Sequence, residues 1–154
     1  MRFADPIAVL FGIGRLKPAP GTWGSLAALP LAYALHLLGG PVLFLIAIIA
    51  VFLLGWWATL EVTRGQEDHD PSEVVIDEVV GQWIALVPLS LGASLSGAQI
   101  HALWPGWIAA FILFRLFDIW KPGPVGLADR RKDALGVMLD DVIAGWLAAM
   151  CVLV

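Results

Sequence analysis

Charged residues are absent from three long stretches of the chain. No Asp, Glu, Lys or Arg occurs between Lys17 and Glu61, between Glu78 and Arg115, or after Asp141. The hydrocarbon core of a bilayer is about 30 Å thick and takes roughly 20 helical residues to cross, so each of the first two stretches has room for two helices that cross out and back. The polar islands between these stretches are therefore predicted to lie on one side of a membrane. The islands are residues 2–17, 61–78 and 115–141.

The apolar stretches predict five helices and an all-α fold. Glycines at Gly39-Gly40 and from Gly92 to Gly97 predict turns on the side away from the islands. We therefore expect a small helical bundle that crosses the membrane several times, in a single domain over residues 1–154. The predicted helices are Trp23–Leu38, Pro41–Leu60, Val79–Leu95, Ile100–Phe117 and Leu135–Val154.

Composition supports a membrane protein. The chain is 60% hydrophobic and 14% charged, with a mean hydropathy of +0.86, whereas soluble domains are about 45–50% apolar. Every Lys and Arg lies in an island, and positive residues favour the cytoplasmic side of a membrane. We expect a lipid bilayer around the helices, the islands in the cytoplasm, and no nucleic-acid partner. The single cysteine excludes an internal disulfide, and no His–Cys spacing indicates zinc.

Two pairs of adjacent acids stand in similar apolar frames. Asp77-Glu78 lies within VIDEVVGQWIA, and Asp140-Asp141 lies within MLDDVIAGWLA. Carboxylates next to lipid are costly to keep ionised, so this repeated arrangement requires a cation, a basic partner or water. We predict that these acids gather around one metal site.

The third island places an acid between two cations. Arg115, Asp118 and Lys121 are spaced three apart, so they share one face of a helix that Pro122 is expected to end nearby. A salt-bridge ladder at the membrane surface is one interpretation. A binding site for an anionic partner is the other, because Arg130 and two further cations follow in the same island.

The first island runs into a glycine-rich segment, Gly12–Ser25, which leads into an apolar helix. Glycines allow backbone N–H groups to approach an anion closely, and Thr22 or Ser25 could cap the helix, whose N-terminus favours phosphate. No Gly-Lys-Ser/Thr follows as in a Walker loop. The segment is thus either a turn with a helix cap or a cradle for phosphate.

Four blocks follow one another along nearly the whole chain. They are Pro18–Leu26, Asp70-Pro71 with Asp77-Glu78, Phe114–Pro122, and Gly136–Asp141 with Ala144-Gly145. In this order they resemble the phosphatidylglycerophosphatase A family of bacterial lipid phosphatases. The resemblance implies an all-helical enzyme, a phosphoric monoester hydrolase of the bacterial inner membrane. It implies magnesium-dependent removal of the terminal phosphate from phosphatidylglycerophosphate, an anionic phospholipid, at the cytoplasmic face.

Phosphate chemistry suggests a role for each polar residue. Phosphate monoesters hydrolyse very slowly unaided, so charge on the phosphoryl oxygens must be neutralised, and Mg²⁺ prefers carboxylate, phosphate and water oxygens. Helix neighbours point about 100° apart, so the members of an acid pair are expected to divide roles. We assign the metal to Glu78, Asp118 and Asp141. Asp77 and Asp140 are expected either to complete the site or to serve as base or nucleophile. We assign substrate phosphates to Arg115, Lys121, Arg130, Thr22, Gly24 and Ser25.

Two other functions remain open. A phosphatidyltransferase of phospholipid synthesis would also use acids and magnesium, but its Asp-Gly and Ala-Arg arrangement is not found in the sequence. A small cation carrier would place paired acids near the bilayer centre, whereas here they lie at predicted cytoplasmic helix starts.

Overall fold

A computed structural model describes residues 3–153. Two parts of the sequence prediction, Arg2 in the first island and Val154 at the end of the last helix, lie outside these residues. No β-strand occurs within the described range, which confirms the all-α prediction. The helices are α1 (Ala4–Ala8), α2 (Pro20–Thr63), α3 (Ile76–Ser96), α4 (Trp104–Trp120), α5 (Pro124–Asp129) and α6 (Ala134–Leu153), with 3₁₀ turns at Leu10–Arg15 and Ile100–Leu103.

Helix α2 is a hairpin of two arms. Helical geometry breaks at Gly39 and Gly40, and Gly40 has a φ of 62° that favours glycine. The chain then turns back. A Cβ on residue 24 would lie 2.9 Å from Val75, and one on residue 55 would lie 3.1 Å from Ile76, so both arms reach the start of α3. The two helices predicted here are confirmed as the first arm (20–38) and the second arm (41–63).

Helices α3 and α6 form the inner pair of the bundle. In their most apolar stretches 56% and 50% of residues are buried inside the protein, against 11% for α2 and 17% for residues 100–120. The backbones of α3 and α6 touch at two glycines, because a Cβ on Gly145 would lie 2.4 Å from the Gly81 carbonyl oxygen. Only glycine permits so close an approach.

The outer helices present apolar side chains outward. Leu38 is 79% exposed, Val42 69% and Ile112 57%, which suits a surface facing lipid. Four helices are long and apolar enough to cross a membrane, with the α2 hairpin counted once. The prediction of a multi-pass helical bundle with about five apolar helices is therefore confirmed.

One boundary prediction is wrong. Helix α3 begins at Ile76 and not at Val79, so Asp77 and Glu78 belong to its first turn, where the helix dipole favours acids. The same helix ends at Ser96, one residue beyond the predicted Leu95, and Gly97, with a φ of 71°, makes the turn.

The predicted cap of the first helix is also wrong. Helix α2 begins at Pro20 rather than Trp23, and no side chain caps it. Proline at the first helical position has a preset φ and no N–H to satisfy, so the helix starts early. Thr22 and Ser25 therefore lie inside the helix.

Candidate active site

The polar ends of α2, α3, α4 and α6 meet at one end of the bundle, around a cavity of about 340 Å³. The acid pairs lie here because α3 and α6 both start at this end. The prediction that the islands share one side of the bundle agrees with this arrangement. The polar residues that line the cavity are Asp70, Ser72, Asp77, Glu78, Arg115, Asp118, Lys121, Asp140 and Asp141, beside Ala19, Pro20 and Gly21.

Three carboxylates converge in this cavity. One oxygen from each of Asp77, Glu78 and Asp141 lies within 4.8 Å of the other two. Asp77 is 6% and Asp141 2% exposed, and neither Glu78 Oε2 nor Asp141 Oδ2 has a hydrogen-bond partner. Mg²⁺ binds oxygen at about 2.1 Å, so two ligands on opposite sides of one ion are about 4.2 Å apart. The spacing and the unpaired oxygens fit a divalent cation.

Glycine in the first arm of α2 makes room for one of these carboxylates. A Cβ on Gly21 would lie 2.2 Å from Glu78 Oε1, so any side chain at position 21 would displace it. Both members of this pair place an oxygen in the same cluster. The division of roles expected within the pair stays a prediction.

The two acids of the second pair have different neighbours. Asp141 points into the carboxylate cluster, whereas Asp140 Oδ2 accepts a hydrogen bond from Lys121 Nζ at 2.8 Å. One local feature repeats that of the first pair. The first acid of each pair accepts a hydrogen bond from the backbone N–H of the second, at 3.0 Å in both Asp77-Glu78 and Asp140-Asp141.

Arg115 lies between two acids. Its guanidinium forms an ion pair with Asp118, and its Nη1 lies 3.8 Å from Glu78 Oε1. Asp118 lines the same cavity but does not belong to the closest trio of carboxylates. Its predicted role as a metal ligand stays a prediction.

Lys121 joins α4 to α5 and α6. Helix α4 ends at Trp120, as Pro122 predicted, and Lys121 follows it with a left-handed φ of 51°. From there its ammonium pairs with both Asp140 and Asp129. Burial alone would lower the pKa of Lys121, but the hydrogen bonds to Asp129 and Asp140 outweigh it and raise the pKa, so Lys121 stays protonated.

Asp70 lies at the mouth of the cavity, in the loop before α3. Desolvation by the surrounding protein raises the pKa of its carboxyl, and the negative charges of Asp129 and Asp68 add to this, while Lys121 opposes it. In the sequence Asp70 stands out only as part of a family block, which indicates no role for it. The role of Gly21 is likewise not visible in the sequence, although this residue lies in the glycine-rich segment.

Four residues predicted to bind substrate phosphate do not line the cavity. Gly24 packs against Val75, Ser25 is fully buried, and Thr22 is half-buried. Arg130 is exposed. The geometry therefore gives their predicted role no support, whereas Arg115 and Lys121 both face the acids.

Comparison with known proteins points to one family. The family model described as Phosphatidylglycerophosphatase A matches residues 6–154. The Phosphatidylglycerophosphatase A of Haemophilus influenzae is 42% identical over 147 residues, which cover 95% of this chain and 84% of that protein. The protein of the same name from Escherichia coli is 34% identical over 145 residues, covering 93% of this chain and 77% of that protein.

A third relative carries a different name. A protein of Bacteroides thetaiotaomicron, provisionally named a phosphatidylinositol-3-phosphatase, is 40% identical over 142 residues, covering 88% of this chain and 82% of that protein. No solved structure matches the chain. With the family model covering nearly every residue and two relatives of that name above 30% identity, the chain belongs to the phosphatidylglycerophosphatase A family.

Proposed function

We propose that this protein hydrolyses the terminal phosphate monoester of phosphatidylglycerophosphate, giving phosphatidylglycerol and inorganic phosphate. Family membership supports this activity. The observation that carries the mechanism is the trio of buried Asp77, partly buried Glu78 and buried Asp141 beside two cations, at the polar end of a membrane bundle. A phosphate on a lipid headgroup at the membrane surface can reach this end of the bundle.

Magnesium dependence is part of the proposal. Six acids and only two cations line the cavity, so a phosphate dianion would be repelled from the protein alone. Asp77, Glu78 and Asp141 would hold Mg²⁺, which when bound neutralises charge on the phosphoryl oxygens and lowers the pKa of coordinated water.

The remaining residues bind and orient the substrate. Arg115 and Lys121 supply charge-assisted hydrogen bonds to the phosphate oxygens, and their acidic partners hold them in place beforehand. Asp140, next to Lys121, takes the proton from the attacking water. The resulting hydroxide adds to phosphorus as the bond from phosphorus to the glycerol oxygen breaks. The proton held on Asp140 passes to that oxygen, which leaves as an alcohol, and Asp140 is again ready to act as a base.

Phosphate release from the purified protein in detergent tests the activity. We expect release from phosphatidylglycerophosphate with Mg²⁺ and none after thorough chelation with EDTA, with recovery when Mg²⁺ is returned. Release that continues after chelation would overturn the metal proposal, and no release under any condition would favour a carrier of cations. Phosphatidylinositol 3-phosphate should be assayed in parallel, because one relative is named for it. Faster release from that lipid would assign the chain to the other substrate.

We further propose that the active site faces the cytoplasm of a bacterial inner membrane. The cations of the described residues lie in the islands at the cavity end, as the positive-inside rule favours. Cysteine labelling tests this orientation in a Cys151→Ser background. Glu73→Cys, at the cavity end, should resist a membrane-impermeant maleimide in spheroplasts, whereas Ala98→Cys, at an exposed position at the opposite end, should react. The reverse pattern would contradict the orientation.

A further inference from the structure

Two polar side chains are fully buried just beneath the carboxylate cluster. Gln82 and Ser25 are both 0% exposed, and neither the Gln82 amide atoms nor Ser25 Oγ has a hydrogen-bond partner. Most buried polar groups in proteins are hydrogen-bonded, because leaving one unpaired is costly. A buried amide and a buried hydroxyl without hydrogen-bond partners, inside an apolar bundle, therefore require an explanation.

Two neighbouring helices carry these side chains. The first arm of α2 and α3 both run away from the cavity, and they touch where Gly21 meets Glu78. Ser25 and Gln82 each lie four residues further along, on the same faces of their helices. A deeper contact joins the same two helices, since the indole nitrogen of Trp83 donates to the Ala28 carbonyl at 2.9 Å. Gln82 thus lies one turn below Glu78, and Ser25 lies one turn below Gly21.

The unpaired atoms around this point complement one another. Glu78 Oε2 is a buried acceptor without a partner, and Arg115 Nε is a buried donor without one. The Gln82 amide offers both a donor and an acceptor, and Ser25 Oγ offers either. Because Glu78 and Gln82 are spaced i, i+4 on one helix, their side chains are neighbours. A small side-chain rotation or one bridging water would pair the Gln82 amide with Glu78 Oε2.

We propose that Gln82 is a positioning residue, whose amide holds the Glu78 carboxylate in its metal-binding orientation while Ser25 supports the amide from behind. The proposal rests on the proposed function in one respect, that Glu78 binds a divalent ion. Gln82 itself lies one turn too deep to line the cavity. Its effect on the reaction therefore passes through Glu78.

Metal binding provides a test that does not depend on activity. Binding of Mn²⁺ to the full-length protein in detergent can be measured by electron paramagnetic resonance, alongside the thermal midpoint without metal. Gln82→Met keeps the volume and removes the amide, and we expect it to weaken Mn²⁺ binding about 10- to 100-fold, as loss of ligand-orienting residues typically does. Ser25→Ala should weaken it less, and the double variant should be no weaker than Gln82→Met alone.

The matched control lies deeper on the same helix. Ser90 is 1% exposed and bonds to His36 at 2.8 Å, two turns beyond Gln82. Ser90→Ala removes a buried polar group but should leave Mn²⁺ affinity unchanged. If Gln82 were merely an unpaired core residue, Gln82→Met would keep wild-type Mn²⁺ affinity and raise the thermal midpoint, and that result would overturn the proposal.

The outcomes separate this inference from the proposed function. If the wild-type protein released no phosphate but Gln82→Met weakened Mn²⁺ binding, the proposed function would fail and the positioning role would stand. If phosphate were released and Mn²⁺ affinity were unchanged in Gln82→Met, only the positioning role would fail. Should Gln82→Met not fold, Gln82→Asn decides, because it keeps a buried amide that is one methylene too short to hold Glu78. Wild-type Mn²⁺ affinity in Gln82→Asn would overturn the proposal.

Discussion

Alanine at Gly145 should separate the two helices that carry the acids. A Cβ at this position would lie 2.4 Å from the Gly81 carbonyl oxygen and 3.1 Å from Gly81 Cα. Ordinary contact begins near 3.4 Å, so α3 and α6 would have to move apart by about 1 Å. Gly81 and Gly145 lie one turn beyond Asp77 and Asp141 respectively. The separation would therefore be transmitted directly to the carboxylate cluster.

The expected losses follow from this displacement. Inserting a methyl group into a packed contact costs about 1–3 kcal/mol, and alanine returns up to about 1 kcal/mol through its higher helix propensity. We expect the free energy of unfolding to fall by about 1–2 kcal/mol. Metal sites tolerate only about 0.2 Å in ligand distance, and a 1 Å misplacement of reacting groups typically costs about 100-fold in rate. Turnover should therefore fall far more than stability.

Gly92→Ala is the matched control. Gly92 lies in α3, and a Cβ there would meet nothing within 4 Å. We expect it to keep wild-type turnover and gain up to about 1 kcal/mol of stability. Phosphate release should be measured against Mg²⁺ concentration well below the thermal midpoint of each variant. A Gly145→Ala protein with wild-type turnover and wild-type Mg²⁺ dependence would refute the argument that this helix contact sets the site.

Two further predictions concern single acids. Asp141→Asn should lower turnover at saturating Mg²⁺ by at least about 100-fold, since even the loss of a ligand-orienting residue costs about 10- to 100-fold. The control Glu73→Gln, at an exposed acid, should leave turnover unchanged. Wild-type turnover in Asp141→Asn would show that this carboxylate is not a ligand. Asp133→Ala should destabilise the protein by about 1 kcal/mol, because Asp133 accepts the Gly136 N–H at 2.7 Å at the start of α6. The hydrogen bond from Arg131, followed by that from Gly136, lowers the pKa of Asp133, so its stabilisation is present above about pH 4 and is lost as pH falls through the lower folded pKa. Thermal unfolding against pH checks this, and a difference between wild type and Asp133→Ala that persists in strong acid would contradict the ionic cap.

Two short helices could not be predicted from the sequence. Helices α1 and α5 have 5 and 6 residues, too few for a hydrophobic period to be recognised. Helix α5 matters nonetheless, because it carries Asp129 to Lys121. Likewise the early start of α3 could not be seen, since acids are as compatible with a first helical turn as with the loop before it.

The repeated apolar frame around the two acid pairs predicted that the acids form a site. Aligning the two frames did not predict which acids meet. In the sequence frame Asp77 corresponds to Asp140, the first acid of each pair. In the structure Asp77 is joined by Asp141, and each of these two stands four residues before the glycine at which α3 and α6 touch. The spacing to the glycines was present in the sequence. Its meaning required knowing that these two glycines meet.

The chain by itself determined the helical class, the hairpin layout and the gathering of polar islands at one end. These follow from the length of uncharged stretches and from the cost of placing charge in hydrocarbon, both of which are properties of local sequence. Only the tertiary structure decided which oxygens converge. Each residue turns a helix by about 100° and advances it about 1.5 Å, so the choice between neighbouring acids depends on helix rotation and separation. Packing between residues distant in sequence fixes both of these quantities.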